Sequence, residues 1–271
     1  AMALEEKAVS VDSTFYCPGY RMVEGWPKPI RCWKYPNAHG DQNLYKAIQN
    51  SCNPAFIDIG QKLGAENFLK YYKAFGLDKR TGIDLPGEGT SIFHDEERFL
   101  SNKVDLATAS FGQNFQISPI QLITAVSAVA NGGNLMQPYI VKEILAEDGS
   151  IVKSTEPTVV RQVISEETSE LMCDILESVV SEGTGKNAYI AGYRIAGKTG
   201  TSEKKVRQAE TGRTDLYAAS FIAFAPADDP QVAVLVVLDE PMVQQKTGGI
   251  TAAPVVRRIM ADILPYIGVE P

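Results

Sequence analysis

Gly197-Lys198-Thr199-Gly200-Thr201 closes a run, Tyr193 to Thr201, that reads as a β-strand. Two further strand-like runs follow, Tyr217 to Ala225 and Val232 to Leu238, and Asp228-Asp229-Pro230 supplies the turn between them. Val232–Leu238 is apolar on both faces, the pattern of a strand covered on both sides. Far upstream, Ser51-Cys52-Asn53 separates two helical stretches. Asp41 is the expected cap of the first, over 42–50. Pro54 opens the second, because a first-turn residue has no use for the N–H that proline lacks.

The remaining chain reads as helices on strands. Gly64 ends the helix after Pro54, and Ala65 to Phe75 forms another. Ser118-Pro119-Ile120-Gln121 is a capping box before a largely apolar helix that reaches Ala130 and stops at Asn131-Gly132-Gly133. Ile140–Leu145 and Ser150–Lys153 flank Asp148-Gly149 as a hairpin. Ser165 caps a helix to about Val180, and a last helix spans roughly Ala253 to Leu264. Residues 11–40, rich in Pro, Gly and aromatics, read as an irregular excursion, and 76–89 as turn-rich loop. The chain reads as one domain, 1–271.

The composition narrows the function. With 271 residues, 44% hydrophobic and 22% charged, the chain can bury a sizeable core. A net charge of −7 without a basic stripe argues against nucleic acid. No apolar run approaches the ~18 residues of a membrane span, and no signal peptide opens the sequence.

Taken singly, Ser-x-Asn before Pro is a helix cap, and Lys-Thr-Gly is a surface turn. A second such tripeptide, Lys246-Thr247-Gly248, lies in Gln- and Gly-rich sequence and reads as loop. In this order, joined by Phe111-Gly112-Gln113, Gly183-Thr184-Gly185, Gly248-Gly249 and Ala252-Ala253-Pro254, the motifs resemble the penicillin-binding transpeptidase family. The stretches Ile30-Arg31-Cys32-Trp33 and Asn50-Ser51-Cys52-Asn53-Pro54 look most like its sporulation-type and division-type class B members.

That resemblance implies an α/β (α+β) fold, an antiparallel sheet flanked by helices, shared with serine β-lactamases. It implies a D,D-transpeptidase that cross-links peptidoglycan by serine acyl transfer, without a cofactor. The partners would be a D-Ala-D-Ala stem peptide and β-lactams, and the full-length protein would be membrane-anchored at the extracytoplasmic face. By the same resemblance, Ser51 shuttles a proton to the leaving amine, Asn53 holds the substrate amide, and Lys198 is a fixed positive charge. Thr199 and Thr201 bind the substrate carboxylate, the Thr201 N–H forms half of an oxyanion hole, and Gly200 lets substrate approach the strand edge. His39 and His94 sit in no recognisable Ser-His-Asp setting.

The family also needs a nucleophilic Ser-x-x-Lys on a helix. Ser150–Lys153 reads as strand and Ser202–Lys205 as charged loop, so neither fits. The resemblance places that serine just upstream of residue 1, and with it the first strands of the sheet. The expectation is therefore a chain that forms no penicillin adduct by itself and leaves Val232–Leu238 as an open edge, prone to self-association. A non-catalytic binding remnant and a β-lactamase or β-lactam sensor of the same fold are the alternatives.

Cys52 is the middle residue of the Ser-x-Asn motif, and Cys32 lies 20 residues before it. A redox pair, Cys32 with Cys52, and two free, partly buried thiols are both open readings. A zinc site from Cys17, Cys32 and His39 has plausible ligands but no standard spacing, and no metal is assigned.

Overall fold

The computed structural model describes residues 1–271. The first third carries α1 (Met2–Glu5), β1 (Thr14–Cys17), β2 (Tyr20–Arg21), β3 (Ile30–Arg31), β4 (Gly40–Asn43), α2 (Leu44–Gln49), α3 (Asn53–Leu63) and α4 (Ala65–Ala74). Then come α5 (Glu96–Ser101), α6 (Lys103–Ser110), α7 (Pro119–Ala130), β5 (Asn134–Met136), β6 (Glu143–Leu145), β7 (Ile151–Ser154), β8 (Val159–Gln162) and α8 (Glu166–Ser181). The last third holds β9 (Ala196–Glu203), α9 (Lys205–Thr211), β10 (Tyr217–Ala225), β11 (Val232–Asp239), α10 (Gly248–Thr251) and α11 (Ala253–Tyr266).

The main sheet is antiparallel, in the order β11-β10-β9. β10 is central and is buried on both faces. Phe221, Ala223 and Ala225 join Ala253, Val256, Met260 and Leu264 of α11 in one core, whereas Phe224 belongs to another that includes Leu176 and Val179 of α8. Each buried Phe contributes about 1.5–3 kcal/mol of transfer free energy, so β10 is the anchor of the sheet. β11 is an edge, as expected, with Val237 45% exposed and no strand on its outer side. β9, which carries Lys198–Thr201, forms the opposite edge.

Local chemistry sets the helix starts. The Ser118 side chain accepts from the Gln121 N–H while Gln121 returns a bond to the Ser118 N–H, and Ser165 caps α8 through Thr168 N; each cap contributes about 1 kcal/mol. Asp41 is not the cap of α2. It pairs with Tyr16 in the β1–β4 ladder, and Asn43 caps the helix by accepting from Lys46 N. The excursion over 11–40 is therefore more ordered than its composition suggests, with two small antiparallel ladders, β1–β4 and β2–β3. The second Lys-Thr-Gly is not free loop either: Thr247 precedes α10, whose first residue is Gly248.

Candidate active site

Ser51 occupies the tight turn between α2 and α3. Its φ is +48°, a left-handed conformation that costs a residue with a side chain about 1–2 kcal/mol. The turn is held from several sides: Cys52 N–H donates to Ala47 O at 3.0 Å, and the Trp33 indole N–H to Asn50 O at 2.8 Å. Thr184, in the Gly183–Gly185 stretch, donates its N–H to Gln49 O at 3.0 Å, and its hydroxyl lies 3.3 Å from that of Thr199. The two motifs that the sequence singled out are thus tied together through a third.

Lys198 projects from β9 to this turn. Its ammonium donates to Ser51 Oγ at 2.8 Å and to Thr199 O at 3.1 Å. No carboxylate pairs with it, in contrast to Lys46, Lys70, Lys204 and Lys246, which all sit in ion pairs. The residue keeps some surface exposure, yet loss of hydration around the ammonium pulls its pKa down to about 8. It remains mostly protonated at neutral pH. The arrangement is a cation on a hydroxyl, at an open strand edge, without an internal counter-ion.

Asn53, the first residue of α3, donates its amide to Arg31 O at 3.1 Å, which leaves its side-chain oxygen for another donor. Gln113, from the stretch after α6, reaches Thr201 O at 3.4 Å. A Cβ on Gly200 would stand 2.4 Å from Ser220 Oγ, so a side chain there would force the Ser220 hydroxyl to turn away. On the same strand, Thr201 Oγ1 accepts from Gly248 N–H at 3.2 Å. A Cβ on Gly248 would meet Ser220 O at 2.0 Å and Gly200 O at 2.5 Å, so α10 packs directly on β9 and β10. The strand reading of residues 193–201 pointed to Thr201. Gly248 as its partner was missed, although the repeated tripeptide marked the place.

Neither Ser-x-x-Lys match forms a helical pair. Ser150 is exposed and bonds to Asp148, while Ser202 lies within β9, paired with Ala218.

Beside the Ser51 turn, Cys17, Cys32, His39 and Cys52 converge, with their ligand atoms all within 4.8 Å of one another. The cysteines are free thiols, and Cys32 Sγ lies 3.5 Å from His39 Nδ1. The close approach of the two thiols lowers the Cys32 pKa and raises that of Cys52. The sequence assigned no metal and offered three ligands; the fold adds Cys52 as a fourth. Three thiols and an imidazole are the donor set of a closed, four-coordinate structural zinc site. The four residues could hold such an ion.

Residues 1–261 match the penicillin binding protein transpeptidase domain family. The chain is 47% identical over its whole length to stage V sporulation protein D of Bacillus subtilis, of which it covers 41%. It is 31% identical to a peptidoglycan D,D-transpeptidase FtsI homolog of Mesostigma viride, again over the whole chain and 48% of that protein. The chain thus spans less than half the length of either relative. Among solved structures, penicillin binding protein 3 of Mycobacterium tuberculosis complexed with aztreonam superposes with a TM-score of 0.86 at 26% identity, over 99% of this chain and 60% of that one. The transpeptidase domain of penicillin-binding protein 3 from Burkholderia pseudomallei gives 0.84 at 28% identity, over 100% and 77%. The chain belongs to the penicillin-binding protein transpeptidase family.

Proposed function

We propose that this chain supplies the substrate-binding and proton-relay side of a D,D-transpeptidase that cross-links peptidoglycan and is acylated by β-lactams. The observation that carries this reading is the unpaired Lys198 ammonium, 2.8 Å from Ser51 Oγ. A half-enclosed cation without a carboxylate favours an anionic ligand, and the terminal carboxylate of a D-Ala-D-Ala stem peptide is one. The same carboxylate is present on penicillins.

In the reaction, a serine outside residues 1–271 attacks the carbonyl of the penultimate D-Ala. The new C–O bond forms as the C–N bond to the terminal D-Ala breaks. The leaving amine takes its proton through the Ser51 hydroxyl, which Lys198 orients. Thr199 and Thr201 hold the carboxylate, Asn53 accepts from the substrate amide, and the Thr201 N–H stabilises the oxyanion. The amine of a second stem peptide then attacks the acyl-enzyme and releases the serine. An uncharged base in place of the Lys198 ammonium would suit proton abstraction but would leave the carboxylate without a partner.

Because the substrate lies outside the cytoplasmic membrane, the full-length protein would act at the extracytoplasmic face, held there by an anchor. No helix of this chain is long and apolar enough to cross a membrane. The open edge of β11 supports pairing with another strand, which for the isolated chain would be that of a second copy. Light scattering over a concentration series tests this; a monomer at every concentration contradicts it.

The direct test of the reaction is release of D-alanine from a stem-peptide analogue by the full-length protein. Release is expected, together with labelling by fluorescent penicillin, whereas residues 1–271 alone should show no labelled band on a denaturing gel. Penicillin labelling without D-alanine release or transfer would favour a β-lactam sensor.

A further inference from the structure

Lys246 stands outside the Ser51–Lys198 pair, yet its side chain is only 16% exposed. Its ammonium donates to both Asp215 Oδ2 and Asp215 O at 2.6 Å. Asp215 also accepts from Arg213 at 3.1 and 3.2 Å, and the two cations hold its carboxyl far below the usual range. Asp215 lies two residues before β10, and Lys246 lies two residues before α10. The ion pair therefore closes the long segment between β11 and α10 onto the start of the central strand. Two residues beyond Lys246, Gly248 N–H meets the Thr201 hydroxyl, and a Cβ at 248 would collide with the carbonyl oxygens of Ser220 and Gly200. The next residue, Gly249, is fixed by Asn187, which donates to its carbonyl at 2.7 Å.

We propose that Lys246 and Asp215 form a positioning latch for substrate-carboxylate binding: the pair seats the N-terminus of α10 on β9, and Gly248 N–H then holds the Thr201 hydroxyl in the orientation that receives the carboxylate. Lys246 contacts no reacting atom in this account and acts through Thr201. The inference rests on the carboxylate-binding role proposed above for β9. A threonine hydroxyl both donates and accepts. With its oxygen accepting from Gly248, its proton is directed to an acceptor, and a carboxylate is one. Freed from that bond, the hydroxyl rotates among staggered positions, and part of the binding geometry is lost.

The test uses the full-length protein and a fluorescent penicillin, with the binding and acylation steps separated by varying penicillin concentration. Lys246→Met is expected to weaken the binding step about tenfold, in line with the sensitivity of reaction rates to small misplacements, and to leave the maximal acylation rate within about twofold. Asp215→Asn should match it, the double variant should be no worse than either single one, and Lys246→Arg should recover most of the loss. In a Thr201→Val background, Lys246→Met should add nothing. Wild-type binding by Lys246→Met overturns the proposal, as does a loss that adds fully to that of Thr201→Val. Lys198→Ala in parallel separates the two levels. If it abolishes acylation while Lys246→Met changes nothing, the latch alone fails. If it acylates like wild type, the site reading fails and takes the latch with it. An unchanged thermal midpoint for Lys246→Met excludes general unfolding as the cause.

Discussion

Lys198-Thr199-Gly200 and Lys246-Thr247-Gly248 are the same tripeptide in two settings. The first runs along an edge strand of the main sheet, with its cation turned to a hydroxyl and lacking a counter-ion. The second precedes a four-residue helix, with its cation neutralised by Asp215 and its glycine pressed against the first. What separates them is the surrounding structure. An unpaired, half-enclosed lysine is costly to the fold and useful to a ligand, whereas a paired one fixes a backbone.

Removal of the hydroxyl that Lys198 touches probes the first setting most strongly. Ser51→Ala in the full-length protein should cut penicillin acylation by about 10²–10⁴-fold, the range for a positioned proton-transfer group. Stopped-flow labelling measures it, and a loss below about threefold would take Ser51 out of the relay.

The second setting is probed by filling its contact. Gly248→Ala should destabilise the chain by about 1–3 kcal/mol or more, because the new methyl group meets two backbone carbonyls rather than flexible side chains. A urea midpoint equal to wild type would mean that α10 is not seated on β9.

The charge state of Lys198 gives a pH test. With its pKa near 8, the ammonium is lost as pH rises through about 8, and acylation efficiency should fall on that limb. The sign for stability is opposite. Between about 8 and the ordinary lysine value of 10.5 the unfolded chain holds more protons at this residue than the folded one, so its contribution to stability rises with pH. Comparison of wild type with Lys198→Met by denaturant titration at pH 7 and pH 10 reads this difference. A gap that does not change with pH would show Lys198 to be normally solvated.

The smallest expected effect concerns the thiols beside the turn. Reduced protein titrated with zinc should bind one equivalent, and Cys17→Ser should weaken binding while leaving the fold intact. A Cys32–Cys52 disulfide, detected by mass after alkylation, would compete with the metal. Failure to bind zinc in the fully reduced state would leave the cluster as packed thiols only.

Much of this was legible in the sequence where one rule dominated. β10 matches the apolar run from Tyr217 to Ala225, and α7 starts and stops where its capping box and Asn-Gly-Gly stop require. The short helices α5 and α6 were missed, because each is too brief for an apolar period to stand out. α9 buries no residue, so its charged sequence read as loop. Asp41 and Asn43 are both plausible caps, and the choice between them came from strand pairing with β1, a tertiary contact. The Cys–His cluster was half legible for the same reason. The β1–β4 register sets Cys17 opposite Gly40, which brings in His39, and only the turn at Ser51 adds Cys52. Lys198 and Ser51 were found by motif, but their 2.8 Å contact and the missing counter-ion belong to the fold.

We propose Lys198, and not its twin, as the working cation of the penicillin-binding site. Intact-mass measurement of the full-length protein after exposure to penicillin tests it most directly, in wild type, Lys198→Ala and Lys246→Ala. One penicillin per chain is expected in wild type, almost none in Lys198→Ala over the same interval, and slower but complete modification in Lys246→Ala. Equal losses in the two lysine variants, or full modification of Lys198→Ala at the wild-type rate, would contradict it.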